Sequence, residues 1–300
     1  MSDEGQRLRV DREDAGLPVE RFLARALDRG IDHAQKLVRQ GRVRLERAGR
    51  PARRGEVLEA GETLRLLPAE RPAGPFAAPP QPNRRLRLSV LHEDPALLVL
   101  DKAAGVPVHP GPGHGTDTLL NALVARCPEL LELGAEREYG LVHRLDLGTS
   151  GVLVVARTAA AYAWLREAFA ERRVHKRYLA LCRGAPRDEE GEVEGEVAGK
   201  PARTRYRVLE VRGEVGLLEL EPETGRTHQL RIHLAALGCP VLGDARYGTG
   251  RDELTARLYL TRMALHAAEL RLEHPDGSGE VGWESKLPRA LSKAWKRAGS

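Results

Sequence analysis

Two stretches of this 300-residue chain carry side chains suited to acid–base or nucleophilic chemistry. The first reads His143-Arg144-Leu145-Asp146-Leu147-Gly148-Thr149-Ser150-Gly151. The second reads Thr224-Gly225-Arg226-Thr227-His228-Gln229-Leu230-Arg231-Ile232-His233. In the first, Asp146 follows a His-Arg pair, and a Thr-Ser-Gly turn leads into the apolar run Val152-Leu153-Val154-Val155-Ala156. A carboxylate at the mouth of a buried strand is held rigidly, and an adjacent cation would keep it ionised and fix its direction. Alone, Asp-x-x-Thr equally suits an ordinary tight turn. His143, His228 and His233 do not read as a metal centre. The last two are five apart rather than the four of H-E-x-x-H, and no cysteine is near in sequence.

These residues need a scaffold, and the pattern from Leu86 onward supplies one. Apolar runs bounded by turns read as strands: Ala96–Leu100, Gly151–Ala156, Tyr178–Leu181, Tyr206–Leu209 and Gly216–Leu220. Helical stretches at Thr118–Arg126, Ala159–Arg173 and Thr227–Leu237 punctuate them, and the acidic, Gly-containing Arg187–Glu196 reads as a solvated hairpin. The expected architecture is α+β: a mixed, mainly antiparallel sheet with flanking helices over residues 86–300.

Composition narrows the class. Hydrophobic residues at 41% and charged residues at 30% fit a globular protein with a sizeable core. No run approaches the ~18 apolar residues of a membrane span, and the polar start from Met1 to Arg9 lacks a signal core. The odd number of widely spaced cysteines, Cys127, Cys182 and Cys239, reads as reduced thiols, so a cytoplasmic location is expected. Charge is unevenly spread. Lys36, Arg39, Arg42, Arg44, Arg47, Arg50, Arg53 and Arg54 face only Glu46, giving that segment +7 in a chain of net +5. A concentrated patch on a near-neutral body is the footprint of a polyanion binder. Aromatic content of 4% leaves few rings for stacking on single strands, so recognition of a nucleic acid by cations and shape is expected.

The patch sits in a small α+β module. Val19, Phe22, Leu23, Ala26 and Leu27 recur at helical spacing after Pro18, and Gly30 closes that helix. Ala34, Leu37 and Val38 form the inner face of a second helix ending at Gly41. Short strands are expected at Val43–Leu45, Val57–Leu58 and Leu64–Leu67. The text Val19-Glu20-Arg21-Phe22-Leu23, Ala34 to Val43 and Ala60-Gly61-Glu62-Thr63-Leu64 resembles the RNA-binding domain named after ribosomal protein S-four. That resemblance implies that Lys36, Arg39, Arg42 and Arg44, on the second helix and the turn after it, lie against RNA phosphates. Arg44-Leu45-Glu46 replaces the usual Val-Asn-Gly. Five prolines between Arg71 and Asn83 then read as a semi-extended linker, which divides the chain into 1–70, a linker at 71–85, and 86–300.

Residues Leu88 to about Leu291 resemble the catalytic domain of the RluA-type pseudouridine synthases. Five segments carry the likeness in order: Leu97 to Pro110, the His143–Gly151 stretch, His175-Lys176-Arg177-Tyr178-Leu179-Ala180-Leu181, the Thr224–His233 stretch with Gly243-Asp244-Ala245-Arg246-Tyr247-Gly248, and Arg262-Met263-Ala264-Leu265-His266-Ala267. Such enzymes cut the base–sugar bond of a uridine in RNA, rotate the base and rejoin it through a ring carbon. Nothing is oxidised or added, so no cofactor is expected. The resemblance implies that Asp146 is the essential aspartate, either adding covalently or removing a sugar proton, and that Arg231 forms an ion pair with it. It implies that Tyr178 stacks on the target base and accepts its proton, a task for which an ordinary phenol pKa of ~10 is poorly matched. Arg144 corresponds to the residue that enters the RNA helix as the uridine leaves, or else forms a structural ion pair. Lys102 and Arg226 are expected on phosphate or as plain surface charge. Ala103 and Gly148 depart from the usual proline and charged residue at positions that supply no reacting group.

The expected partner is structured RNA, most simply large-subunit ribosomal RNA, bound by a monomer. Alternatives are a transfer RNA substrate, or an RNA- or ribosome-binding protein without activity. A kinase reading of His-Arg-Leu-Asp fails for want of a Gly-rich phosphate loop, a V-A-I-K strand and a D-F-G element. A two-carboxylate glycosidase is opposed by the basic module.

Overall fold

The structure, a computed structural model, describes residues 6–27, 30–39, 41–67, 79–111 and 114–299. The chain forms two compact units, Met1–Gly74 and Pro75–Ser300.

The first unit contains strand β1 (Gln6–Arg9), helices α1 (Val19–Ala26) and α2 (Ile31–Arg39), and strands β2 (Val43–Leu45), β3 (Arg50–Pro51) and β4 (Thr63–Leu66). Its antiparallel sheet has the order β1-β4-β2-β3. Phe22 and Leu23 of α1 and Ala34, Leu37 and Val38 of α2 pack on Val43, Leu45 and Leu64 of the sheet. Gly41, at φ +67, lets the chain leave α2 in a left-handed turn that side chains disfavour. The strand expected at Val57–Leu58 is a single bridge from Val57 to Pro18. Leu58 instead plugs the core while its backbone bonds the loop before α1. Two short strands escaped the sequence: Gln6-Arg7-Leu8-Arg9 has one apolar residue, and Arg50-Pro51 has none of the β-branched signal.

The second unit is built on a nine-stranded sheet. In chain order its elements are β5 (Val90–Glu93), β6 (Leu97–Lys102), α3 (Leu119–Arg126), α4 (Leu130–Leu133), β7 (Ser150–Ala156), α5 (Ala159–Ala170), β8 (His175–Arg183), β9 (Glu190–Val197), β10 (Lys200–Arg212), β11 (Val215–Pro222), α6 (Gln229–Ala236), α7 (Glu253–Arg257), β12 (Leu265–Glu273), β13 (Glu280–Glu284) and α8 (Arg289–Ala298). The sheet runs β5-β6-β7-β12-β8-β11-β10-β9, and β13 also pairs with β12. Only β7 and β12 run parallel, so the sheet is mixed and mainly antiparallel.

Strand periodicity explains why β6 and β7 read as unbroken apolar runs. Leu98, Leu100, Leu153 and Val155 face the core with α3 and α4, while Leu97, Val99, Val152 and Val154 face the core with α5. Both faces are covered, so polar alternation is absent. The expected hairpin at Arg187–Glu196 is in fact the edge strand β9 and its approach. Its glutamates at every second position disfavour pairing with another chain. Two helices are shorter than their patterns suggest. α5 stops at Ala170 ahead of Arg172, which adopts φ +61, and α6 begins only after His228, at φ +59.

Candidate active site

Asp146 sits in the turn that feeds β7, and that turn is held from several directions. The Thr149 N–H donates to Asp146 O at 3.0 Å, and the Gly105 N–H donates to Leu147 O at 2.7 Å. Arg262 Nη2 donates to Ser150 Oγ at 2.8 Å and reaches Gly148 O at 3.3 Å. Gly151 is required where β7 meets β12: its φ is +116, and a Cβ there would lie 2.0 Å from Ala267 O.

Arg231 comes from α6, on the other stretch of the sequence. Its Nη1 donates to Asp146 Oδ2 at 3.0 Å, so the two groups share one cleft. The rest of the guanidinium is clamped by Asp244: Nε donates to Oδ2 at 2.7 Å and Nη2 to Oδ1 at 2.8 Å. Such a two-point fork fixes the plane of the cation, not merely its charge. Tyr247 lies under it, with the guanidinium carbon 5.0 Å from the ring centre. Burial opposes the charge on both Arg231 and Asp244. Their mutual contact more than offsets that, raising the guanidinium pKa and lowering that of the carboxyl, which also accepts the N–H groups of Arg246 and Tyr247. Gln229 knits the surrounding loop. Its Oε1 accepts from Thr224 Oγ1 and the Arg226 N–H, and its Nε2 donates to Arg203 O and Thr204 Oγ1.

Asp146, Arg231, Tyr178, Thr149, His228 and Leu265 line a cavity of about 130 Å³. Pockets for drug-sized ligands are several hundred Å³, so this one suits a single flat ring. Tyr178 lies on β8, opposite Leu220 of β11 and Ala267 of β12. Burial and the Asp146 carboxylate push its phenol well above the ordinary value, so it stays protonated near neutral pH. His228 Nε2 is 3.8 Å from Asp146 Oδ1, and its Nδ1 is 3.0 Å from the Tyr247 hydroxyl. A lone pair facing a carboxylate is unfavourable, so Nε2 bears the proton and Tyr247 donates to Nδ1. Burial lowers the His228 pKa despite Asp146, favouring this neutral ring.

The other residues singled out in the sequence divide sharply. Arg144 is exposed at the cavity rim with Nη1 3.0 Å from His109 Nε2, and Arg226 lines the same rim with Nε donating to Pro201 O. Lys102 must be corrected: it is 1% exposed and cannot meet a phosphate. Its Nζ donates to Ala103 O at 2.9 Å and Val106 O at 2.8 Å, holding the turn whose Gly105 bonds Leu147. Burial, with Arg262 nearby, draws its pKa down to about 8. In the first unit Arg39 and Arg44 are exposed, whereas Arg42 is partly buried and donates to Leu67 O. The Lys36 side chain lies outside the described residues. Asp244, Tyr247 and His228 were not singled out as functional. The Gly243-Asp244-Ala245-Arg246-Tyr247-Gly248 stretch was the available signal, but no spacing rule tells which distant arginine an aspartate will grip. His233 is buried with Nδ1 2.9 Å from Thr204 Oγ1, and no metal-suited cluster exists among the described residues.

Residues 96–236 match the RNA pseudouridylate synthase family. An uncharacterized RNA pseudouridine synthase of Chloroflexus aurantiacus is 40% identical over 296 residues, covering 91% of this chain and 87% of that protein. The chain belongs to the RNA pseudouridine synthase family. The ribosomal large subunit pseudouridine synthase D of Nitrosomonas europaea is 43% identical over 218 residues, 67% of this chain and 62% of that protein. Among solved structures, human RNA pseudouridylate synthase domain containing 4 superposes with a TM-score of 0.58 at 29% identity, covering 70% of this chain and 92% of that one. An RNA pseudouridine synthase isomerises uridine within RNA, and both cleft stretches described above lie inside the matched residues.

Proposed function

We propose that the enzyme modifies uridine in large-subunit ribosomal RNA, with Asp146 as the catalytic carboxylate. The observation that carries this is the Asp146–Arg231–Asp244 chain at the wall of a base-sized cavity. Isomerisation needs an anionic group at the sugar or base, a route for the ring-carbon proton, and exclusion of water. Arg231 orients Asp146 by donating to its Oδ2. Tyr178 packs against the flipped base. As a neutral phenol it serves better as a stacking surface than as a proton acceptor. Arg144 and Arg226, at the rim, engage the RNA around the flipped nucleotide. The ribosomal substrate is supported by the Nitrosomonas relative, a ribosomal large subunit pseudouridine synthase, and by others of the same name.

The unit at residues 6–67 serves as an S-four-like RNA-binding domain, with Lys36, Arg39, Arg42 and Arg44 on its RNA face. The exposure of Arg39 and Arg44 supports this, and Arg42 contributes less because Leu67 O takes part of its guanidinium. The protein acts as a cytoplasmic monomer. Tritium release from uridine-labelled ribosomal RNA tests the reading. Release from large-subunit RNA is expected, whereas release from no cellular RNA would leave only the non-catalytic alternative. Release confined to transfer RNA would move the substrate.

A further inference from the structure

Beside the Asp146 cavity lies a second one of about 390 Å³. Arg144, Tyr178 and the Thr224–Arg226 loop line both. The remaining wall is basic, with Arg166, Arg172 and Lys176 on it. Its carboxylate, Glu223, is engaged by Arg205 at 3.2 Å and Arg203 at 3.8 Å. Among the described residues Arg166 has only a distant ion-pair partner, Glu138 at 3.8 Å. The side chains of Lys176 and Arg172 have no hydrogen-bond or ion-pair partner among the described residues. A partly buried ammonium without a counter-charge destabilises a fold, so its retention asks for an anion. Lys176 precedes Tyr178 by two positions on β8 and therefore shares its face, about 7 Å away. That spacing places a cation within one nucleotide's reach of the base cavity.

We propose that this second cavity holds a backbone phosphodiester flanking the target uridine, gripped by Lys176 and Arg172. The proposal rests on the isomerase reading and deepens it. Lys176 offers three donors on a compact charge, and Arg172 a planar fork, both suited to phosphate oxygens. His143 adds no charge. Its Nε2 accepts the Val154 N–H at 3.0 Å, it stacks on Phe169, and burial lowers its pKa to about 3.

Occupation has a proton signature. Burial, reinforced by Arg172, holds the free Lys176 amine at about 8. A bound phosphate raises it, so RNA binding takes up a proton above pH 8 and weakens as pH rises. The groups facing Lys176 are Arg144, Arg166, Arg172, Arg226, His143 and the ion-paired Glu223. His143 and Tyr178 stay neutral through that window.

The test uses full-length Asp146→Asn protein, to prevent turnover, and in vitro-transcribed large-subunit ribosomal RNA. The dissociation constant should rise about tenfold between pH 7 and pH 9. Adding Lys176→Gln should flatten that rise and reduce the salt slope by about one. Arg172→Gln should reduce the slope equally and move the rise to higher pH, because Arg172 helps hold the free Lys176 amine down, and it stands as an independent test should the lysine variant fold poorly. With Asp146 restored, Lys176→Gln should raise KM more than it lowers kcat. Lys102, the other amine held near 8, is present throughout and cannot account for a difference. A folded Lys176→Gln protein with unchanged slope and pH dependence would overturn the subsite. Failure of the isomerase reading is separately visible, as wild-type protein that binds RNA and releases no tritium.

Discussion

The two units use arginine in opposite ways. In the first, Arg39, Arg44, Arg47, Arg53 and Arg54 stand exposed, and among the described residues the Arg44 side chain meets only the backbone oxygen of Gly49. In the second, Arg231 is 11% exposed at its side chain and is shared between two carboxylates, one of them 1% exposed. An exposed cation attracts a polyanion from a distance and is screened by salt. A buried, forked one gives up reach for direction. On the proposed function, affinity and geometry fall to different residues, and each role should fail in its own way when perturbed.

The largest effect should come from Asp244→Ala. Arg231 would keep only Asp146, and leaving a buried charge half-paired costs about 3–5 kcal/mol. Denaturant unfolding would register that loss, and kcat should fall with it. An Asp244→Ala protein of wild-type stability and turnover would dissolve the contrast. Gly151→Val comes next, because its Cβ would strike Ala267 O at a φ of +116. A loss of about 3 kcal/mol is expected from crowding and strain, readable as a lower melting temperature.

Acidification should act in the second unit, through His143. The ring binds a proton near 6.5 when unfolded but only at about 3 when folded, because burial excludes the charge. Its stabilising contribution is therefore complete above pH 6.5 and declines as pH falls. It should be down by about 2 kcal/mol at pH 5. His143→Phe should remove that part of the slope in pH-dependent unfolding. The smallest effect on chemistry belongs to the exposed arginines. Arg39→Gln combined with Arg44→Gln should lower the salt slope of RNA binding by about two while kcat stays put. A fall in kcat without a change in slope would reverse the roles of the two units.

Legibility from sequence followed the strength of the local signal. Val152–Ala156 could only be a buried strand, and β7 is buried at every position. α1 and α2 announced their inner faces through Phe22, Leu23, Leu37 and Val38. Lys102 was misread because a lysine ending an apolar strand ordinarily escapes to water. Here the following turn folds two carbonyls back onto it. His228 was assigned to α6, yet a left-handed residue at the cap turns its ring toward Asp146 instead. The meeting of Asp146 with Arg231 was expected only through family resemblance, since they lie 85 residues apart. Asp244 stood in a quoted motif, yet its grip on Arg231 had no sequence signal, because a fork is a property of two side-chain planes rather than of spacing.

On the proposed mechanism, one carboxylate does chemistry that the basic surface cannot. Single-turnover pseudouridine formation by Asp146→Asn, with RNA affinity measured on the same preparation, addresses this directly. The expected result is no detectable product alongside a dissociation constant close to that of the wild type. Product forming at a rate comparable to the wild type would contradict it.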